Sequence, residues 1–359
     1  MTTLQTSPAT APDQLAARWR DYQAEHRRAF MYDAAREFGV SELELLATNC
    51  GDTVTRLEAD WAVFLEELHR CGKVMALTRN HWAVIEKKGY YKPVTINGPM
   101  GVVLDEGLDL RLFMRHWAHG YAVHYPNAKR MNRSFHFFDA DGTAVHKVYV
   151  GDEGAEAFEE LTRRYASADQ SREQQVKPPA AAEAVLPDAE IDAEGLRKAW
   201  ADLRDTHEFF GMLKRFNVGR TQAFRLVGAA FAEPLARDSY RTLFERAAEN
   251  KTPIMVFVDS PGCIEIHSGP INKLIPMEGW FNIMDPGFNL HLREAGVHAV
   301  WRVRKPTTDG VVTSVELYDE TGKEIAMLFG KRKPGIPELE TWRDLAESLP
   351  CDLGSPGSA

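Results

Sequence analysis

Apolar residues change their spacing along this chain, and the changes mark out its elements. Leu196, Trp200, Leu203, His207 and Phe210 step by 4, 3, 4 and 3, the spacing of one helical face, and predict a helix through all five. Further on, VVTSVELYD and EIAMLFG read as strands instead, joined by a tight loop at Glu320-Thr321-Gly322-Lys323. An earlier stretch does the same: SFHFFD, then Ala140-Asp141-Gly142-Thr143, then AVHKVYV, with Asp-Gly strengthening the turn. Helical pattern followed by strand pattern, twice over, predicts an α+β fold with helices packed on antiparallel sheets rather than alternating parallel units.

The recurrence is an internal duplication. LAARWRDYQAEH from Leu15 answers LRKAWADLRDTH from Leu196, which sets Trp19 against Trp200 and His26 against His207, each 181 residues apart. GLDLRLF from Gly107 answers GFNLHLR from Gly287, and SFHFFDADG from Ser134 answers SVELYDETG from Ser314, both at an offset of 180. Between the copies, residues 166–194 hold three prolines, many alanines and charges and almost no aromatic or β-branched residues, the composition of a solvated linker. The expected organisation is a disordered tail over 1–14, a repeat over 15–165, the linker, a second repeat over 195–349 and a tail over 350–359.

Composition narrows the function classes. The 359 residues are 44% hydrophobic and 26% charged, ordinary values for a globular chain of two domains. Lys+Arg total 43 against Asp+Glu 52, so the net charge of -9 argues against nucleic-acid or anionic-membrane binding through a basic surface, and any basic site must be local. No apolar run reaches the ~18 residues of a membrane span, and MTTLQTSPATAPDQ lacks the charged start and apolar stretch of a signal peptide. The expectation is a cytoplasmic protein. Cys50, Cys71, Cys263 and Cys351 are scattered without CxxC spacing, which fits reduced thiols better than a disulfide framework or a metal site.

Standard catalytic signatures are absent: no Walker A loop, no GxGxxG after a strand, no HExxH and no GxSxG. His116, His119 and His124 in HWAHGYAVH offer a metal-like spacing, but the segment reads as a half-buried strand with no acidic or Cys ligand beside it. Cys263 and His267 in DSPGCIEIHSGP suggest a nucleophile and base, yet alternation again makes the segment a strand with Cys263 as a small core residue. His207 stands out because its stripe is followed by cations: Arg220 at the next helical start, Lys305 in RVRKP and Arg332 in GKRKPG. A charge cluster is usually a solvated face. Beside an aromatic-rich half of an acidic chain, it also suits a flat apolar ligand with carboxylates at one edge. Haem is such a ligand, since a neutral imidazole can bind its iron while Arg and Lys neutralise its propionates.

LDLRLF, SFHFFDADGTAVHKVYV, PGCIEIHSGP, DPGFNLHLRE, VRKPTTDG and FGKRKPG together resemble the HemS/HmuS-type haemin-degrading and haem-transport proteins of bacterial haem uptake. The resemblance covers nearly the whole chain outside the tails and linker. It implies a cytoplasmic haem-binding protein of two similar halves with haem between them, receiving imported haem and either degrading it to release iron or passing it on. By position it makes His207 the axial iron ligand and Arg111 of LDLRLF the residue over the opposite face, a candidate catalytic donor of hydrogen bonds. It sets Phe113 and Phe257 near the ring and Arg220, Lys305 and Arg332 at the propionates, while Phe329 in MLFGKR stands where the family often has a tyrosine. It also implies partners, an inner-membrane haem importer and an electron donor or haem-accepting enzyme, because no nucleotide or iron–sulfur motif here supplies electrons. The same pocket serves a haem chaperone without catalysis, and its residues alone also fit another anionic aromatic ligand.

Overall fold

The computed structural model describes residues 11–26, 29–126, 131–179, 185–333 and 335–352. The first half runs through helices α1 (Pro12–Glu25), α2 (Met31–Phe38) and α3 (Glu42–Ala47), strand β1 (Val54–Leu57) and helix α4 (Trp61–Glu67). Eight strands follow: β2 (Val74–Arg79), β3 (Ala83–Gly89), β4 (Val94–Asn97), β5 (Met100–Leu104), β6 (Asp109–Phe113), β7 (His119–Pro126), β8 (Met131–Phe138) and β9 (Ala144–Val150). Helix α5 (Ala155–Tyr165) closes the half.

The second half repeats that order. It has α6 (Ala193–Ala201), α7 (Glu208–Arg215), α8 (Arg220–Val227), β10 (Ala232–Leu235) and α9 (Ser239–Glu249). Then come β11 (Ile254–Asp259), β12 (Cys263–Gly269), β13 (Leu274–Met277), β14 (Trp280–Asp285), β15 (Phe288–Arg293), β16 (Ala299–Thr307), β17 (Gly310–Tyr318) and β18 (Glu324–Gly330). Helix α10 (Glu340–Glu347) ends it. The expected α+β duplication is therefore present element by element, with a closing helix in each half that the strand pattern did not announce.

Two units form, and each borrows from the other half of the sequence: Thr78–Lys87 joins the second unit and Ser260–Cys263 the first. Within the first unit the antiparallel ladder runs β1, β7, β8, β9, β2, and a separate meander joins β4, β5 and β6. Within the second it runs β10, β16, β17, β18, β11, β12, and β13, β14, β15 and the borrowed β3 form the meander. The duplication extends to turn geometry. Asp139 N–H donates to the Thr143 carbonyl at 2.9 Å, as Asp319 N–H does to Lys323 at 2.9 Å. Gly142 and Gly322 sit at φ 79° and 78°, conformations open to glycine at little cost. The register slips at Phe137/Phe138 and again at Leu317/Tyr318, a bulge kept in both copies.

In the second unit one sheet face is covered by α6 to α8, with Leu196, Trp200, Phe209 and Phe224 buried against Val303 and Tyr318. The opposite face packs Val256, Val315 and Leu328 with Phe244 of α9 and Trp342 of α10. Trp200 anchors the first layer: its ring meets Phe209 edge-on at 4.7 Å and its indole N–H donates to the Arg304 carbonyl at 2.9 Å.

Several boundaries differ from expectation. Helix α1 begins at Pro12, inside the segment expected as tail, and Pro fits the first helical turn because no partner is needed for its missing N–H. At the other end Cys351 bridges to Leu235 and Asp352 N–H donates to Pro234, so 350–352 belongs to the second unit. The rest of the expected tails, residues 1–10 and 353–359, and linker residues 180–184 lie outside the described residues. The linker is also partly tied down: Gln170 exchanges hydrogen bonds with the backbone of Arg56 at 2.9 Å each way, and Ser167 donates to Glu58 at 3.1 Å.

Candidate functional site

The single helix expected through Leu196, Trp200, Leu203, His207 and Phe210 is broken. Helix α6 stops at Ala201 and α7 starts at Glu208, so Leu196 and Trp200 are buried as expected while the His207 side chain is 92% exposed and Phe210 76% exposed. The cause lies in Arg204, Asp205 and Glu208. Asp205 Oδ1 accepts from the His207 backbone N–H at 2.8 Å, and Glu208 accepts from the N–H of Arg204 at 2.9 Å, so side chains take donors that a continuous helix would use. Thr308 N–H then holds the Arg204 carbonyl at 3.0 Å. His207 is thus not a core histidine. It caps α7 and points its ring outward.

That ring is held. His207 Nδ1 donates to Asp205 Oδ1 at 2.6 Å, and the Asp205 carboxyl is lowered from its ordinary value, chiefly through the His207 N–H and then its ring, with a smaller contribution from Arg332. Two residues on, Phe209 turns inward, its ring 4.5 Å from Lys305 Nζ and 5.2 Å from the Arg220 guanidinium. Phe329 and Phe257 meet edge-on at 5.1 Å, and Lys305 Nζ lies 6.0 Å from the Phe329 ring. His207, Arg220, Phe257, Lys305, Phe329 and Arg332 therefore all belong to the second unit. Arg111 and Phe113 belong to the first, on β6, where the Arg111 guanidinium is bonded to Asp109 and donates to the Leu110 carbonyl at 3.3 Å.

Sequence reading missed the acids beneath the cations. Glu316, fully buried on β17, accepts from Lys305 at 2.9 Å and Ser314 at 2.7 Å on one oxygen, and from Arg220 Nε at 3.0 Å and Tyr318 at 2.5 Å on the other. Burial opposes its charge, but Arg220 and Lys305 prevail and hold it well below the usual range. Arg220 also reaches Glu324 at 3.4 Å, whose carboxyl burial pushes up to about 8. Two cations, Arg220 and Lys305, thus converge on the one buried carboxylate of Glu316. Arg332 pairs with Asp309 at 3.4 Å, and its buried Nε has no partner among the described residues. A lone Glu in the alternating run SVELYD was the available signal, since an acid on the inward face of a strand needs a cation.

The discarded alternatives fall apart physically. His116 donates to Asp139 at 2.7 Å and His124 reaches Glu159 at 3.1 Å, two separate carboxylates. Among the described residues no three His, Cys, Asp or Glu side chains gather as metal ligands. His267 stacks flat on Phe288 at 3.7 Å, and burial drops it to about 3, which leaves no usable base.

The haemin-degrading HemS.ChuX domain matches this chain twice, over residues 39–165 and 217–349. The chain belongs to the haemin-degrading HemS family. Its relatives in that family include the hemin transport protein HmuS of Yersinia pestis, 38% identical over 90% of this chain and 93% of the relative. The hemin transport protein HemS of Yersinia enterocolitica is 37% identical over the same shares. Among solved structures, holo-PhuS, a heme-binding protein from Pseudomonas aeruginosa, is 45% identical with a TM-score of 0.92, covering 95% of this chain and all of its own. ChuS, a heme degrading enzyme of Escherichia coli O157:H7, is 33% identical with a TM-score of 0.88 over 94% of this chain and 99% of its own. The twofold HemS match coincides with the two copies of the fold, and no helix among the described residues is long and apolar enough to cross a membrane.

Proposed function

We propose that this chain binds haem as cargo, with His207 as the iron ligand, in bacterial haem uptake. The carrying observation is the His207 imidazole, exposed, tied through Nδ1 and presenting Nε2, in the unit where Arg220 and Lys305 converge on the buried Glu316. Arg332, with a buried Nε lacking a partner among the described residues, and Arg220, partly exposed, would take the propionates. Lys305, 4% exposed and occupied by Glu316, contributes charge from beneath rather than a direct contact. Phe257 and Phe329 supply apolar surface, and Phe329 offers no hydroxyl. The assignment of Arg111 and Phe113 to the other face of the ring rests on the LDLRLF motif.

An open ligand side chain suits release to a partner in the cytoplasm, so haem delivery is the first reading, with an inner-membrane importer as source. Ring opening is the second, supported by likeness to ChuS, described as a heme degrading enzyme, and it needs an external electron donor. Haemin titration of wild type and His207→Ala tests the first: the variant is expected to stay folded and to lose the axially ligated Soret signature. An unchanged Soret position and affinity would sink the assignment. Adding a reductant and oxygen to the complex then tests the second by loss of the Soret band with a ring-opened product.

A further inference from the structure

We propose that Asp205 is the positioning residue for His207, fixing the ring so that Nε2 carries the free lone pair and adding negative charge to the imidazole through Nδ1. The inference rests on the haem reading for what Nε2 meets, but the ring's tautomer belongs to the ligand-free protein. Asp205 Oδ1 accepts twice, from the His207 backbone N–H at 2.8 Å and from ring Nδ1 at 2.6 Å. An ionised carboxylate only accepts, so Nδ1 must hold the proton. The two bonds fix both ends of the same residue: the backbone at the start of α7 and the direction of the ring. The loop that carries Asp205 is itself pinned, by Glu208 on the N–H of Arg204 and by Thr308 on its carbonyl.

A ring left alone would rotate and favour a proton on Nε2, the nitrogen needed for iron. Metal-bound histidines commonly donate their other N–H to a carboxylate, which orients the ring and makes it a stronger donor to the metal. The family likeness does not by itself assign this role to Asp205. The motifs that carry the resemblance lie elsewhere in the chain, and Asp205 is distinguished only by its bond to the ring.

Asp205 also caps backbone, so the test must separate capping from ring control. Asp205→Asn keeps an oxygen that accepts both bonds and removes the charge, whereas Asp205→Ala removes both. Nitrogen-15 NMR of the ligand-free chain is expected to show His207 protonated on Nδ1 in wild type and shifted toward Nε2 protonation in Asp205→Ala. With haemin bound, Asp205→Ala should weaken affinity by ~10- to 100-fold and lower the ferrous iron–histidine stretching frequency. Asp205→Asn should keep the fold and the tautomer but raise the midpoint potential of the bound haem, because charge no longer stabilises the ferric form. A wild-type ring protonated on Nε2 overturns the proposal, as does a wild-type stretching frequency in Asp205→Ala or a wild-type potential in Asp205→Asn. Failure of the wild-type chain to bind haemin would instead overturn the haem reading, and the NMR result would still decide the tautomer.

Discussion

Glu316 shows how much one residue type depends on its surroundings. It keeps its charge in a fully buried position because four donors, two of them cations, surround it, whereas Glu265, also fully buried, is pushed up to about 8 by burial. The two give opposite predictions. Glu316→Gln leaves Lys305 and Arg220 without their shared counter-ion, and the loss expected in urea unfolding is ~3–5 kcal/mol. Replacing Glu316 and Lys305 together by Leu and Met removes one of the two stranded cations and should recover part of that loss; equal losses in single and double variants would rule out an ion-pair origin. For Glu265 the folded state holds a proton that the unfolded state releases near pH 4.3, so folding stability declines as pH rises from there through about 8. The Glu265 contribution to that slope is about 1.4 kcal/mol per pH unit, and Glu265→Gln should remove it. Identical pH slopes for the two proteins between pH 5 and 8 would show that Glu265 ionises normally.

At the scale of elements, the break between α6 and α7 gives His207 its exposure. An uninterrupted helix would have placed it on the buried stripe with Leu196 and Trp200. The turns that join β8 to β9 and β17 to β18 allow a paired comparison. A Cβ added at Gly322 would stand 2.9 Å from Thr221 Oγ1, while one at Gly142 would collide with Ser41, whose hydroxyl accepts the Glu44 N–H at 3.1 Å and caps α3. Both glycines share positive φ, so backbone strain is common to the two substitutions. Gly142→Ala should therefore cost ~1 kcal/mol more than Gly322→Ala, the worth of a lost helix cap, as read from thermal or urea unfolding. Equal losses would mean that the Ser41 cap survives the added methyl group.

For the whole molecule, duplication raises the question of a second haem. The structure fixes the correspondence: Ser41 and Gly219 cap α3 and α8 at an offset of 178, and the paired turns lie at 180. Arg220 then answers to Glu42, Lys305 to Tyr125 and Arg332 to Asp152. In the first unit Glu42 pairs with Lys147, and Asp152 holds Arg133 at 3.4 Å, so acids stand at two of the three cation positions. His26, set against His207 by the sequence offset of 181, ends α1 whereas His207 begins α7, where the first unit has Phe30 at the start of α2; His26 stacks on Tyr22 at 3.9 Å with Nδ1 on the Tyr22 carbonyl at 2.9 Å. Carboxylates facing propionates repel them. Haemin at micromolar protein is expected to saturate at one per chain, and saturation at two, with the second lost in His26→Ala, would contradict this.

The sequence alone determined the duplication, the α+β class, the paired hairpins with their glycine turns, and the cations Arg220, Lys305 and Arg332. Each is a local or periodic property: strand spacing, turn chemistry and residue identity at a fixed offset are printed in the chain itself. Tertiary structure decided what the sequence could not express. Periodicity read His207 into a stripe, but competing bonds from Asp205 and Glu208 ended the helix and turned the ring outward. It found cations without the acid beneath them, because Glu316 meets Arg220 only when β17 and α8 are brought together across 96 residues. It drew two consecutive halves, whereas Thr78–Lys87 and Ser260–Cys263 each fold with the other half. Such pairings depend on where strands find hydrogen-bonding edges and apolar cover, which the whole chain settles at once.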